Sequence, residues 1–201
     1  PNIKVGKFIT QVILQNIEVE DIDLSNATDL RSAWVQNNPA LQKLDLSYST
    51  IWGQGDKETE GNGTYGSSLM VLGCPILKEI KLPEKNELKA YRIDIECLDA
   101  LETFDMSNVK MVAELSIGDL NKDFNLVYPE LTIFYSEDGY AGTYFACSEN
   151  TFYRESTQAF LKANYTDIDP DDTVRRLGYT SSLSYDKNKG CRWRTLLNKQ
   201  K

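Results

Sequence analysis

The sequence predicts a β-leaning α/β fold, a right-handed solenoid whose successive turns stack short strands in parallel. The main observation is an apolar triplet with the spacing L-x-x-L-x-L, which recurs along the chain. A second observation is that Pro39, Pro75 and Pro129 each stand two residues before a leucine of this pattern. The third is that the alternate residues of each triplet point to one side of a strand, so a single turn cannot bury its apolar face alone.

Five copies of the triplet define the predicted strands. Their first residues are 22, 36, 24 and 30 residues apart, so the period is close to 22–24 residues where nothing is inserted. Stacked turns would share a column of aliphatic side chains, each stabilising the fold by about 1.5–3 kcal/mol when fully buried. A proline just before a strand stops any preceding helix from continuing. The copies are Val19/Ile22/Leu24, Leu41/Leu44/Leu46, Leu77/Ile80/Leu82, Leu101/Phe104/Met106 and Leu131/Phe134/Ser136.

These triplets resemble the leucine-rich repeat, whose consensus is L-x-x-L-x-L-x-x-N/C in about 20–29 residues. The resemblance covers roughly residues 19–136, and it departs from the consensus at the Asn/Cys place, which holds Ala27, Ser49, Lys85 and Val109. The resemblance implies parallel short strands on a concave face, with short helices and loops on a convex face.

The repeats are most similar to the divergent type of bacterial surface and secreted proteins, because their lengths are irregular and the Asn/Cys ladder is weak. Two further apolar triplets support this, each eleven residues after a main one: Leu88/Tyr91/Ile93 and Val112/Leu115/Ile117. The resemblance implies an extracellular or cell-surface location.

The segments between the triplets are predicted to form short helices and loops. Apolar residues spaced i, i+3, i+4 predict a helix over residues 27–38, and residues 67–73 and 120–127 are expected to form one- or two-turn helices. The interval of 36 residues contains residues 53–66, which hold five glycines and read as a surface loop inserted into one turn. Whether this loop is functional or a tolerated insertion stays open.

The expected organisation has three parts. Residues 1–18 are predicted to be an N-terminal cap, residues 19–136 a solenoid of about five turns, and residues 137–201 a C-terminal cap with a basic tail. A helix near residues 155–164 is expected to contribute apolar side chains to the second cap. Residues 185–201 carry six basic residues and one acid, which is more typical of a solvated end than of a docking site.

Composition excludes several functions. The chain has 22 Lys and Arg against 30 Asp and Glu, a net charge of −8, which argues against a nucleic-acid partner. It has no histidine, which excludes Ser-His-Asp and Cys-His catalysis, HExxH metal sites and Cys/His zinc fingers. No apolar run is long enough to cross a bilayer, so no membrane insertion is expected. No signal peptide is visible, and a start at Pro1 is expected of a mature or trimmed chain.

Two motifs resemble functional sites without matching them. Residues 165–172, YTDIDPDD, resemble the start of a calcium loop but lack the glycine and glutamate that such a loop needs later, and a capped helix explains them. Cys97-Leu98-Asp99 resembles the C-x-D nucleophile of bacterial effector ubiquitin ligases, but it lies inside a turn, where a buried cysteine is expected. A disulfide between Cys74 and Cys97 stays an open alternative. No catalytic residue, metal or cofactor is predicted.

The side chains between the inward residues of each triplet point out of the predicted concave sheet. Stacked in register, they form a mixed, mainly polar and acid-leaning surface with an aromatic residue at one end. We expect this surface to be the binding site. Its residues are Asp23, Lys43, Asp45, Glu79, Lys81, Thr103, Asp105 and Tyr135.

Two functions of different classes fit these observations. The sequence favours a non-enzymatic recognition or adhesion module, expected to be a monomer, which binds a protein or a glycan through the concave face. The alternative is a carboxylate-dependent glycoside hydrolase or other carbohydrate-active enzyme, which needs two carboxyls about 5–9.5 Å apart in a cleft. A pair of acids with strongly shifted pKa values in a pocket would favour the enzyme.

Overall fold

The protein has a strand-rich α/β fold in which most strands run parallel. The computed structural model describes residues 1–54, 66–121, 123–132, 136–137, 140–141, 143–164 and 195–196. Within these residues it has two helices, α1 (Glu149–Phe152) and α2 (Glu155–Asn164). The strands are β1 (Asn2–Lys4), β2 (Gln11–Gln15), β3 (Asp21–Asp23), β4 (Ser32–Gln36), β5 (Lys43–Asp45), β6 (Ser68–Leu72), β7 (Glu79–Lys81), β8 (Leu88–Leu98), β9 (Thr103–Asp105), β10 (Val109–Leu120), β11 (Asn125–Val127), β12 (Ser136–Glu137), β13 (Tyr140–Ala141), β14 (Tyr144–Cys147) and β15 (Thr195–Leu196).

The largest element is a seven-stranded sheet, which we call the main sheet, with the order β15-β14-β10-β8-β6-β4-β2. Its six strands from β14 to β2 are parallel, and β15 pairs antiparallel with β14 at the edge. Both of the additional apolar triplets of the sequence lie in this sheet, one in β8 and the other in β10. The β12–β13 pair is a separate antiparallel ladder.

A second layer consists of three-residue strands, which we call the short-strand face. Its strands pair parallel as β1 with β3, β5 with β7 and β9 with β11, while β3 also contacts β5 and β7 contacts β9. From β1 to β11 the chain alternates strictly between this layer and the main sheet. Residues 1–18 contribute the first strand of each layer, β1 and β2.

The core lies between the two layers and is built from columns of aliphatic side chains. The short strands contribute Ile22, Leu44, Ile80, Phe104 and Leu126, each central in its strand and buried. The main sheet contributes two rows in register, which are Val12, Ala33, Leu69, Ile93, Leu115 and Phe145, and Leu14, Val35, Val71, Ile95, Ile117 and Cys147. The first four predicted triplets are therefore confirmed as buried positions.

One corner of the fold is fixed by residues in the left-handed conformation. Asn16, Asn37, Gly73 and Cys97 have φ values of 54°, 50°, 63° and 50°, and each follows a residue at the same register position of the main sheet. The Asn37 side-chain amide donates to Asn16 Oδ1 at 2.8 Å, which links two adjacent corners. Glycine and asparagine adopt this conformation at low cost, so the corner is encoded locally at three of these positions, and Cys97 is the exception.

The opposite corner follows the short strands and holds three of the four residues at the Asn/Cys place of the repeat. Ala27, Ser49 and Val109 are buried there, and their N–H groups donate to Leu24, Leu46 and Met106 carbonyls at 2.8–3.0 Å. This buried position is therefore occupied by a small or apolar residue in each of these three turns.

The helices expected over residues 27–38, 67–73 and 120–127 are wrong, because the structure has β4, β6 and β11 in these places. In β4, Ala33 and Val35 point inward while Trp34 between them is partly exposed, which is the period of a strand. A segment of five residues gains more backbone hydrogen bonds from parallel neighbours on both sides than from an isolated helical turn.

The fifth triplet is also misplaced. Residues 128–132 form no strand, and β9 pairs instead with β11, where Leu126 lies opposite Phe104. Leu131 packs half-buried against the core, and Tyr135 lies outside the described residues.

The helix expected near residues 155–164 is confirmed as α2. Its Phe160 stacks on Tyr128 with 4.5 Å between ring centroids. Arg154, just before α2, donates to the carbonyl of Phe124 at 2.7 Å and to that of Asn121, and so ties the helices to the end of the core.

Three other features of the sequence fall largely outside the described part. Residues 55–65 of the glycine-rich stretch, the calcium-loop-like residues 165–172 and residues 185–201 apart from β15 are not described. At the start of the stretch, Gly53 has a φ of 79° and its backbone lies against Leu88, so a larger residue would clash.

Within the described residues, neither helix has the length and apolar character needed to cross a membrane.

Candidate functional site

Charged side chains on adjacent short strands form one connected row. Lys43 on β5 lies 3.2 Å from Asp45 and 3.2 Å from Glu79 on β7, and Lys81 lies 3.2 Å from Glu79. Parallel pairing causes this arrangement, because Lys43 is opposite Glu79 and Asp45 is opposite Lys81. The structure thus brings four of the predicted binding residues together, with Thr103 exposed on the next strand, β9.

The aspartates of this face stabilise the turns at the ends of their strands. Asp23, Asp45 and Asp105 each accept a hydrogen bond from the backbone N–H two residues later, at 2.9, 3.0 and 2.8 Å. Asp45 also accepts the Ser47 hydroxyl at 2.5 Å. Each carboxylate closes an Asx turn at the corner that follows its strand. Asp105 is exposed as expected, but Asp45 is half-buried, since the turn and Lys43 cover it.

The electrostatics of the row are balanced. Hydrogen bonds to Glu79 and Asp45 raise the pKa of Lys43, and those from Lys43 and Lys81 lower the pKa of Glu79. Burial acts to raise the pKa of Asp45, but hydrogen bonds from Ser47 and Lys43 outweigh it, and the net effect is a lowered pKa. These shifts favour the charged forms of Lys43, Asp45 and Glu79. Lys43, Glu79 and Lys81 each expose more than two fifths of the side chain, so a partner can reach them.

A second constellation, which the sequence did not predict, lies on the outer side of the main sheet. Asp94 and Glu96 alternate with the core residues Ile93 and Ile95 along β8, and both carboxyls are buried. Arg92 lies two residues earlier on the strand and donates to Asp94 Oδ2 at 2.9 Å. It also lies 3.6 Å from Glu114 on β10.

The two buried carboxyls are costly to ionise together. They lie within hydrogen-bonding reach of each other, and burial raises the pKa of both. At Glu96 the charge of Asp94 adds to burial and raises the pKa to about 10, whereas Arg92 opposes the rise at Asp94. No donor among the described residues reaches Asp94 Oδ1 when both groups are ionised. With a pKa of about 10, Glu96 holds its proton at neutral pH and can donate a hydrogen bond to Asp94.

The described residues hold neither a group of three His, Cys, Asp or Glu side chains suited to a metal ion nor a disulfide among Cys74, Cys97 and Cys147. The disulfide between Cys74 and Cys97 that the sequence left open is therefore not formed. Burial raises the pKa of Cys74 to about 11, so this thiol is protonated and unreactive at neutral pH.

Comparisons with protein-family models, with curated proteins and with solved structures give no match for this chain.

Proposed function

We propose that this chain is a non-enzymatic recognition module that binds a protein or a glycan through its short-strand face. The observation that carries the proposal is the exposed row of Lys43, Glu79 and Lys81, held at fixed spacing by two parallel strands. The row alternates in charge, and a partner with the opposite alternation would be recognised in one orientation.

We also infer that residues 19–136 form a right-handed solenoid of the leucine-rich-repeat type. Support comes from the alternation of strands between two parallel layers and from corners that recur in register. Residues 1–18 and 137–201 would form its two ends. Proteins with such stacked turns commonly bind through a continuous sheet surface, and an extracellular or cell-surface location fits the divergent repeats.

The row is suited to binding because its ion pairs are exposed. Ion pairs between exposed side chains contribute little to folding, and a partner can exchange them for its own charges without unfolding the sheet. Asp23, Asp45 and Asp105 play a different part, since their turns hold the strand ends in place. Binding energy would thus come mainly from Lys43, Glu79, Lys81 and Thr103.

The experiment separates binding from folding by neutralising the row. A Lys43→Gln/Glu79→Gln/Lys81→Gln variant should lose affinity for partners found in a screen of extracellular proteins and a glycan array, with little change in melting temperature. The control, Glu87→Gln/Glu155→Gln/Lys162→Gln, also neutralises three charges, at exposed positions away from the row and from β2, and should bind as the unmodified chain does. Unchanged affinity in the first variant would exclude this face as the site.

A second candidate function is a carboxylate-dependent enzyme, because Asp94 and Glu96 are two acids with raised pKa values. The pair does not have the separation of about 5–9.5 Å that a glycoside hydrolase needs, since its carboxyls lie within hydrogen-bonding reach of each other. Such an enzyme needs one carboxyl that holds a proton for the leaving oxygen and a second that is ionised. Glu96 would serve as the acid and Asp94 as the nucleophile or base, with Arg92 opposing the rise in the pKa of Asp94. Two buried acids beside one another are costly for a fold, and such costs often mark functional sites.

The enzyme hypothesis is tested by reducing-end release from a panel of polysaccharides. Turnover that is lost in both Glu96→Gln and Asp94→Asn, but kept in the variant with a neutralised row, would support it. Lack of turnover on the whole panel, together with partner binding through the row, would leave the recognition module as the better proposal.

A further inference from the structure

The start of the fold exposes an unusual amount of apolar surface. Phe8, Ile9, Ile13 and Ile17 are 81, 42, 48 and 40 % exposed, and they account for four of the seven large apolar side chains exposed in the described part of the chain. The other three are scattered along the sequence. Exposed apolar side chains that concentrate in ten residues draw attention to this segment as a place where another molecule could pack.

The same segment contains the edge strand of the main sheet. Among the described strands, β2 pairs with β4 on one side and has no partner on the other. Its sequence, Gln-Val-Ile-Leu-Gln, has none of the proline, inward charge or bulge that usually protects an edge from pairing. Val12 and Leu14 point into the core and keep about 7 % of their surface accessible, whereas Val35 and Val71 in the next strands are fully buried.

The sequence of β2 is symmetric about Ile13. If a second copy pairs antiparallel about a two-fold axis through this residue, Gln11 lies opposite Gln15, Val12 opposite Leu14, and Ile13 opposite its own copy. The buried face of β2 would then continue the core of one chain into that of the other, and the outer face would oppose glutamine to glutamine. Such self-complementarity is what a two-fold interface requires.

The charges around β2 favour the same arrangement. The strand itself is uncharged, so no group near the axis would meet a like charge in the second copy. Lys7 precedes β2 and Glu18 follows it, and both are exposed. Antiparallel pairing brings the segment before β2 of one copy to the same end of the interface as the segment after β2 of the other. Each end of the interface would therefore hold one Lys7 and one Glu18.

We propose that two copies of this chain associate through antiparallel pairing of their β2 strands, centred on Ile13. This interface is separate from the short-strand face, so it is independent of the proposed binding function. It also predicts the opposite of the monomer expected from the sequence.

Sedimentation velocity of the full chain at micromolar concentrations tests the proposal directly. The expected mass is twice the 22.8 kDa of one chain. Ile13→Lys places two like charges at the axis and should give the monomer mass with unchanged circular dichroism. Ile76→Lys, a matched change at another exposed isoleucine, should stay a dimer.

Two further variants identify the arrangement. Lys7→Glu and Glu18→Lys should each weaken the dimer, and the double variant should restore it, because the exchanged charges again face each other. Ile13→Cys should form an intermolecular disulfide under mild oxidation, since facing Cα atoms of antiparallel strands are about 4.5–5.5 Å apart and disulfides span this distance. A monomer mass for the unmodified chain, or a dimer that persists in Ile13→Lys, would overturn the proposal.

Discussion

Leu44, at the centre of β5, lies directly opposite Ile80, at the centre of β7, in a parallel pair whose two central side chains are both buried. The flanking residues Lys43 and Glu79 point the other way and form an ion pair. One register therefore sets both the core and the charged row of this face. A change that shifts β5 against β7 would disturb stability and surface together.

Leu44→Ala should lower the free energy of unfolding by about 2–5 kcal/mol, because Leu44 is fully buried between neighbouring turns that cannot collapse into the space it leaves. Urea unfolding followed by circular dichroism measures the loss. Ile76→Ala is the control at an exposed position and should change stability by no more than about 0.5 kcal/mol. A loss below about 0.5 kcal/mol for Leu44→Ala would contradict the observed register.

Gly73→Ala tests the left-handed corner. Gly73 has a φ of 63°, and a Cβ added there would lie 2.8 Å from Asn37 Oδ1, so alanine meets both backbone strain and a close contact. We expect a loss of about 1–3 kcal/mol, measured as a shift in the urea midpoint. Gly6→Ala, where an added Cβ meets nothing within 4 Å, should be neutral or slightly stabilising.

If the close contact contributes to that loss, combining Gly73→Ala with Asn37→Gly should recover part of it, because glycine keeps the left-handed backbone and removes the Asn37 side chain. Complete recovery would show that the left-handed backbone at position 73 costs alanine nothing, and that the contact with Asn37 accounts for the whole loss.

The sequence predicted much of the fold because the triplets repeat a buried register at nearly constant spacing. It failed where segments were too short for periodicity to distinguish a helix from a strand. Leu30, Ala33 and Trp34 have helical spacing, yet only five residues form β4, and the choice between the two depends on neighbouring turns that lie far away in sequence. The fifth triplet was misplaced because Leu131 matches the pattern, while the strand that pairs with β9 is centred on Leu126.

Asp45→Ala should destabilise the fold by about 1 kcal/mol, because the carboxylate accepts two hydrogen bonds that close the turn after β5. Asp45→Asn keeps an acceptor oxygen at the same place and should lose less. Thermal unfolding at pH 7 compares the two variants. Equal losses would show that the charge, through Lys43, matters more than the turn.

Asp45 should also make the stability of the fold depend on pH in the acid range. The pKa of Asp45 is lowered in the folded chain, so its contribution is present above the unfolded value of 3.8 and is lost as pH falls through the lower folded value. Stability measured between pH 5 and about pH 2 should fall less steeply in Asp45→Asn than in the unmodified chain.

The candidate site was predicted in part. Alternation within each triplet correctly predicted that Lys43, Glu79 and Lys81 face outward, and it gave no sign that Asp23, Asp45 and Asp105 close turns. Asp94 and Glu96 were missed for a different reason. The stretch Ile93-Asp94-Ile95-Glu96 alternates between apolar and acidic residues, as a strand with one exposed face does. The acidic face is nevertheless buried, and the periodicity of the sequence cannot predict this because it depends on tertiary structure.

Glu96→Gln should stabilise the protein at neutral and alkaline pH. The pKa of Glu96 is about 10 in the folded chain against 4.5 for an unperturbed glutamate, so between these values the folded state holds one proton more than the unfolded state. Stability therefore falls as pH rises through this range, by at most about 1.4 kcal/mol per pH unit. Glutamine is always neutral and its amide can donate to Asp94 as the protonated carboxyl does, so the variant should lose this dependence.

Urea unfolding from pH 5 to pH 9 measures the free energy of unfolding of Glu96→Gln and of the unmodified chain. The two curves of stability against pH should meet near pH 5 and separate as pH rises. Glu102→Gln, at an exposed position, is the control and should follow the unmodified chain throughout. Asp94→Asn should behave differently from Glu96→Gln, because it removes the partner of Arg92 and leaves that guanidinium without its 2.9 Å hydrogen bond to a carboxylate. Parallel curves for Glu96→Gln and the unmodified chain would show that Glu96 is ionised in the folded state and that the two carboxyls share no proton.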